Sequence, residues 1–152
     1  MVIGFRSFTD GFAYVILGGT QLSPKVVAKE RLSLPKGHTW NSCLSWVRKQ
    51  VAEITQTHEI EGACIKLMEN WPGKKSVERM QIEAVFREFL HNEKSLECNA
   101  RIKSQLRRDI KGFTESARYL DRVLTGIEAL AELNNDLFRD ATLAAVSELP
   151  EE

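Results

Sequence analysis

The sequence predicts an α/β fold: a mixed five-stranded sheet, with a three-strand antiparallel meander followed by parallel strands, and helices on both faces. Three observations carry this. The chain opens as two apolar strands around Thr9-Asp10-Gly11, and Asp-Gly is a strong hairpin signal. A third segment then alternates apolar and charged residues, as a half-buried strand does. After it, helical and strand patterns alternate, which is how parallel strands are connected.

In order, Val2 to Phe8 and Phe12 to Gly18 have strand composition. Val26 to Leu34 places Val27, Lys29, Arg31 and Ser33 on one face and Val26, Ala28, Leu32 and Leu34 mostly on the other, until Pro35 and Gly37 end it. Trp40, Cys43, Leu44, Val47, Val51 and Ile54 recur at helical spacing, so a helix runs to about His58 with Thr39 as its cap. Gly62 to Met68, "GACIKLM", reads as a strand covered on both faces. "NWPGKKS" is loop chemistry, and Ser76 caps a second helix to about Leu90, with Ile82, Val85, Phe86 and Phe89 on its apolar stripe. Ser95 to Ala100 is a weak fifth strand, and Lys103 to Ile110 is basic and mixed. Leu120 to Leu133 carries a third helical pattern, broken by Asn134-Asn135-Asp136. Leu137 to Leu149 makes a last, very apolar helix. No linker, repeat or low-complexity segment interrupts the chain, so residues 1–152 are expected to form one domain. Helix crossovers between its parallel strands should be right-handed.

Composition removes several function classes. The 152 residues, 43% hydrophobic, suffice for one good core, and 21 basic and 21 acidic side chains cancel. No global field steers the protein to nucleic acid or anionic membrane, although a local patch still can. The longest apolar run, Phe12 to Gly19, is too short to span a bilayer, and no signal peptide is visible. Cys43, Cys64 and Cys98 are widely spaced, which favours reduced thiols and a cytoplasmic location. The three histidines are scattered and support no zinc site. There is no Gly-x-Gly-x-x-Gly, and "PGKKS" lacks the upstream glycine of a P-loop.

One residue is out of place. Arg6 lies inside the first apolar strand, among Val2, Ile3, Phe5 and Phe8. The stretch "VIGFR", Val2 to Arg6, resembles the first strand of the ribonuclease H-like superfamily, in its RuvC-type resolvase branch, with Arg6 where that family has its first metal-binding aspartate. "CIKLMEN" is similar to the fourth strand, with Glu69 matching the family's glutamate. "NARIKSQLRRD" resembles the basic stretch beyond the fifth strand. "NDLFRDATLAAV" is similar to the last helix and puts Asp140 on the position before the alanine-rich run. The family's other acid there falls on Leu137, one position from Asp136.

The resemblance implies carboxylates holding two divalent ions about 4 Å apart, with Mg²⁺ or Mn²⁺ as the fitting metals. Glu69 and Asp140 are the surviving candidate metal ligands and, with Asp136, the candidate catalytic acids. Arg6 would enter the space between them. A guanidinium cannot ligate a metal and stays charged, so Arg6 is expected to block the site and pair with one or both carboxylates. The cofactor is then none, or Mg²⁺ if the acids function. The resemblance also implies branched or structured nucleic acid as a partner, and a second copy or another protein, with no membrane.

Plainer readings stand beside these. Asp136 has the position of a helix N-cap, Asp140 that of an acid favoured by the helix dipole, and Glu69 that of a solvated residue beside a loop. Arg6 facing solvent would find Asp10 as partner, although Asp10 is first a turn residue. Lys74 and Lys75 in the loop, with Arg101, Lys103, Arg107, Arg108 and Lys111 downstream, are candidate phosphate contacts or a solvated basic face. Trp71 is positioned either to stack on a base or to pack over a strand end.

Three functions follow in order. The first is a RuvC-like binding or accessory module in a nucleic-acid-linked process, its metal site inactive or altered. The second is an active Mg²⁺-dependent, structure-specific nuclease. The third is a protein-interaction domain that keeps only the scaffold.

Overall fold

The computed structural model describes residues 1–69, 76–111 and 136–152. The sequence-predicted helix over 120–133, the loop residue Trp71 and the loop lysines Lys74 and Lys75 lie outside the described residues.

Strands β1 (Val2–Phe8), β2 (Gly11–Gly19), β3 (Pro24–Ser33), β4 (Gly62–Lys66) and β5 (Cys98–Arg101) form one sheet in the order β3-β2-β1-β4-β5. The first three make the antiparallel meander, while β4 pairs parallel to β1 and β5 parallel to β4. This is the mixed sheet that the sequence predicts. The first turn is tight because Phe8 pairs with Gly11, leaving Thr9 and Asp10 as the loop. Gly11 is required there: a Cβ would lie 2.0 Å from the Leu32 carbonyl oxygen on β3. A bulge puts Val27 outside the register, since Ile16 pairs with Ala28 and Leu17 with Val26.

Helices α1 (Trp40–Thr57) and α2 (Val77–Lys94) cover one face. Thr39 caps α1 by accepting from Ser42 N–H, and Ser76 caps α2 by accepting from Arg79 N–H. Under them Ile3, Phe5, Phe12 and Ile16 meet Val47, Val51, Ile82 and Phe86. Phe86 stacks on Phe5 (4.3 Å between centroids) and meets Phe12 edge-on (4.9 Å). Short α3 (Lys103–Asp109) and α4 (Asp136–Val146) cover the other face, where Val2, Val15 and Leu17 pack on Leu106, Ile110, Ala141, Ala145 and Val146. Alternation along β1 thus sends Ile3 and Phe5 to one core and Val2 to the other.

Some boundaries differ from the sequence reading. α2 continues to Lys94, because Ser95 adopts a left-handed conformation (φ 51°) and, with Leu96, donates its N–H to the Leu90 carbonyl. β5 therefore starts at Cys98, three residues later than expected. β4 ends at Lys66, after which the chain turns away towards Glu69.

Candidate functional site

The site is set by how closely α4 approaches β1. A Cβ on Gly4 would lie 1.9 Å from the Ala141 carbonyl oxygen and 2.6 Å from Ala145 N. Only glycine opposite small helix residues permits this contact. Asp140, immediately before Ala141, is thereby brought over the end of β1. Arg6, two residues beyond Gly4 on the same face, reaches it: Arg6 Nε lies 3.1 Å from Asp140 Oδ2. Both side chains are largely covered, at 13% and 24% exposed. The Nε–H is not aligned to donate to that oxygen, whereas Nη1 donates to the Lys66 carbonyl at 2.9 Å. Arg6 is therefore neither solvent-facing nor paired with Asp10.

Glu69 is held by different groups. Its Oε1 accepts from Lys66 Nζ (2.9 Å) and from Lys103 N–H (2.9 Å), so it serves as a distant cap for the first turn of α3. Lys66 is 4% exposed and gives a second hydrogen bond to the Leu67 carbonyl. Partial burial works to raise the Glu69 pKa. The Lys103 N–H, the Lys66 ammonium and, at longer range, Arg6 outweigh it and hold the carboxyl below its ordinary value.

A third basic residue, Arg79, projects from the first turn of α2. Its Nε donates to Ser7 Oγ (3.3 Å), and Ser7 donates to the buried Glu83 Oε1 (2.6 Å). Arg79 Nη2 is buried and has no hydrogen-bond partner among the described residues. Burial and the nearby Arg6 charge lower the Arg79 pKa, against the opposing pull of Glu83 and Asp140.

Lys66, Arg79, Ser7 and Glu83 were missed as site residues in the sequence. Two of them carried a signal: Lys66 is a lone lysine within the apolar run "GACIKLM", and Arg79 stands in a first helical turn, where the dipole disfavours a cation.

The proposed nucleic-acid residues divide. Arg101 is turned inward at 17% exposed: Nε pairs with Asp109 Oδ2 (2.8 Å), and Nη1 meets Glu148 and Ser147. It ties β5 to α3 and to the end of α4. Arg108 lies on the surface and pairs with Asp109 Oδ1 (2.7 Å), and Lys111 pairs with Glu151 (3.0 Å). Arg107 is exposed on α3, and Lys103 is exposed at its start. Asp136 opens α4, and its side chain lies outside the described residues.

Among the described residues, the acids that the resemblance singles out are already engaged by cations and a backbone N–H. Glu69 Oε1 accepts from two donors, and Asp140 Oδ2 faces the Arg6 guanidinium. Among the described residues no three His, Cys, Asp or Glu side chains are grouped to hold an ion.

A five-stranded 3-2-1-4-5 sheet, with the cluster at the carboxyl ends of β1 and β4, defines a ribonuclease H-like fold of the RuvC type. Thermus thermophilus RuvC shares it closely. In complex with its Holliday junction substrate that protein matches with a TM-score of 0.75 at 11% identity, over 97% of this chain and 92% of its own. A second Thermus thermophilus RuvC structure gives 0.76 at 12% identity, over 96% and 91%. The fowlpox virus resolvase bound to Holliday junction DNA matches at 0.53 and 14% identity, over 95% and 92%. At the level of sequence, no family model and no curated protein matches. No helix among the described residues is long and apolar enough to cross a membrane.

Proposed function

We propose that this chain is a RuvC-like binding module that holds branched nucleic acid and does not cut it by two-metal chemistry. The observation that carries this reading is Arg6 set against Asp140, in a fold otherwise close to that of a junction resolvase. A cation in that place repels Mg²⁺ and occupies a carboxylate that the ion needs. Binding of nucleic acid needs no metal, since the exposed basic residues Lys103, Arg107, Arg108 and Lys111 are themselves phosphate-seeking groups.

The test is a four-way DNA junction offered to wild-type and Glu69→Ala protein, first in EDTA and then with millimolar Mg²⁺ or Mn²⁺. Binding in EDTA without cleavage in either metal is expected. Cleavage by the wild type that Glu69→Ala abolishes would overturn the reading in favour of a Mg²⁺-dependent nuclease. Loss of junction binding even at low salt would leave a scaffold for protein partners. Arg107→Ala/Arg108→Ala should lower the salt dependence of junction binding by about two counterions' worth of slope.

A further inference from the structure

The ion-pair network accounts for Arg6 and Lys66 but not for Arg79. Lys66 answers Glu69, and Arg6 answers Asp140. Arg79 touches the hydroxyl of Ser7, while among the described residues its buried Nη2 has no hydrogen-bond partner and its charge is offset by Glu83 and Asp140 without a direct ion pair. Arg6 Nε is likewise buried without an aligned acceptor. Two guanidinium groups that repel each other thus stand at the same end of β1, Arg6 on the strand and Arg79 on its neighbour Ser7, each with a buried donor that no described residue meets. Buried donors are costly to leave unmet, and a pair of them on two interacting guanidinium groups calls for an acceptor. Arg79 is also badly placed for folding alone, because a cation in the first turn of α2 opposes the helix dipole. The carboxylates around these groups are engaged: Glu83 accepts from Ser7, Asp140 pairs with Arg6, and Glu69 is held by Lys66 and Lys103 N–H.

We infer that Arg79 and Arg6 form an anion site that takes a phosphate group directly, beside the acids to which the sequence resemblance assigns metal ions. Guanidinium N–H pairs match phosphate oxygens in geometry and charge. An anion between the two groups would satisfy both donors and relieve their mutual repulsion. The assignment of that phosphate to a nucleic-acid backbone rests on the function proposed above; the anion site itself does not.

Two measurements separate these claims. In the first, thermal unfolding of the wild type and Arg79→Gln is followed in inorganic phosphate and in sodium chloride of equal ionic strength. Phosphate should raise the wild-type midpoint beyond chloride, and Arg79→Gln should lose that difference whatever its own stability. In the second, junction affinity in EDTA is measured against salt. Arg79→Gln should bind about tenfold more weakly, with the slope of log affinity against log salt reduced by about 0.9. Equal phosphate and chloride effects in the wild type, or an undiminished phosphate effect in Arg79→Gln, would overturn the anion site. Junction binding that persisted in that case would leave the nucleic-acid reading standing. An Arg79-dependent phosphate effect without any junction binding would uphold the site and remove that reading.

Discussion

Arg6 Nη1 donates to the main-chain carbonyl of Lys66 at 2.9 Å, so two cations on neighbouring parallel strands are joined at the same end of the sheet. Each then takes a different carboxylate, Arg6 facing Asp140 and Lys66 bonding Glu69. Glu69 and Asp140 are thus held by two separate bridges, and a single substitution removes only one of them.

Metal binding is expected to respond to that arrangement. Millimolar Mg²⁺ should leave the wild-type unfolding temperature unchanged beyond an ionic-strength control. Arg6→Asp should respond weakly, because Lys66 still holds Glu69. Arg6→Asp/Lys66→Met should be stabilised by mass action, about 2.7 kcal/mol when Mg²⁺ stands at a hundred times its dissociation constant. A folded double variant indifferent to Mg²⁺ and Mn²⁺ would show that Glu69 and Asp140 are not placed to share an ion.

The Arg6–Asp140 pair should also matter for folding. Arg6→Met leaves a mostly covered carboxylate without its cation, at a cost of about 2 kcal/mol after allowance for partial exposure. Arg6→Met/Asp140→Asn should recover much of that loss, because neither charge is then stranded. Urea midpoints of the wild type, Arg6→Met, Asp140→Asn and the double variant form a double-mutant cycle, and additive losses would show that the pair is not coupled.

Acid stability should report on Asp109. Arg108 first, then Arg101, lower its carboxyl from an ordinary 3.8 to about 2 by hydrogen bonding. A carboxyl depressed in the folded state stabilises fully above its unfolded value and loses that contribution as pH falls through the folded value. The contribution therefore disappears between about pH 4 and pH 2. Asp109→Asn should flatten the stability curve in that window and leave its shape above pH 5 unchanged. The readout is the denaturation midpoint against pH, and an identical acid limb in wild type and variant would contradict the assignment.

Gly4→Ala should be among the most damaging small changes. The added methyl would meet the Ala141 carbonyl and the Ala145 nitrogen, both main-chain atoms of α4 that cannot swing aside. A loss of about 3 kcal/mol or more is expected. It should be accompanied by weaker protection of α4 amides in hydrogen exchange, since the methyl pushes that helix away from β1. A variant as stable as wild type would mean that α4 does not pack at Gly4.

Much of the fold was legible because it rests on local periodicity. The Asp10-Gly11 signal, the alternation from Val26 and the apolar stripes of α1 and α2 each express themselves within a few residues. Boundaries were less legible where a competing local motif intervened. The left-handed Ser95 prolongs α2, and no composition cue distinguishes it from an early start of β5. At the site, Arg6, Glu69 and Asp140 stood out by order along the chain. Ser7 and Glu83 did not, because each has an ordinary place in its own element, and Arg79, although oddly placed in a first helical turn, acquires its partners only across the β1–α2 contact.

The sequence by itself determined the kinds of element, their order and the presence of a cation in a strand that should be apolar, since these follow from side-chain chemistry read over short distances. The tertiary structure alone decided which acid faces which cation. That pairing depends on the close approach of α4 to Gly4, on the parallel register of β1 and β4, and on the first turn of α2 lying beside Ser7. Those contacts join residues dozens to well over a hundred positions apart, and their charges interact strongly only because folding has removed most of the water between them.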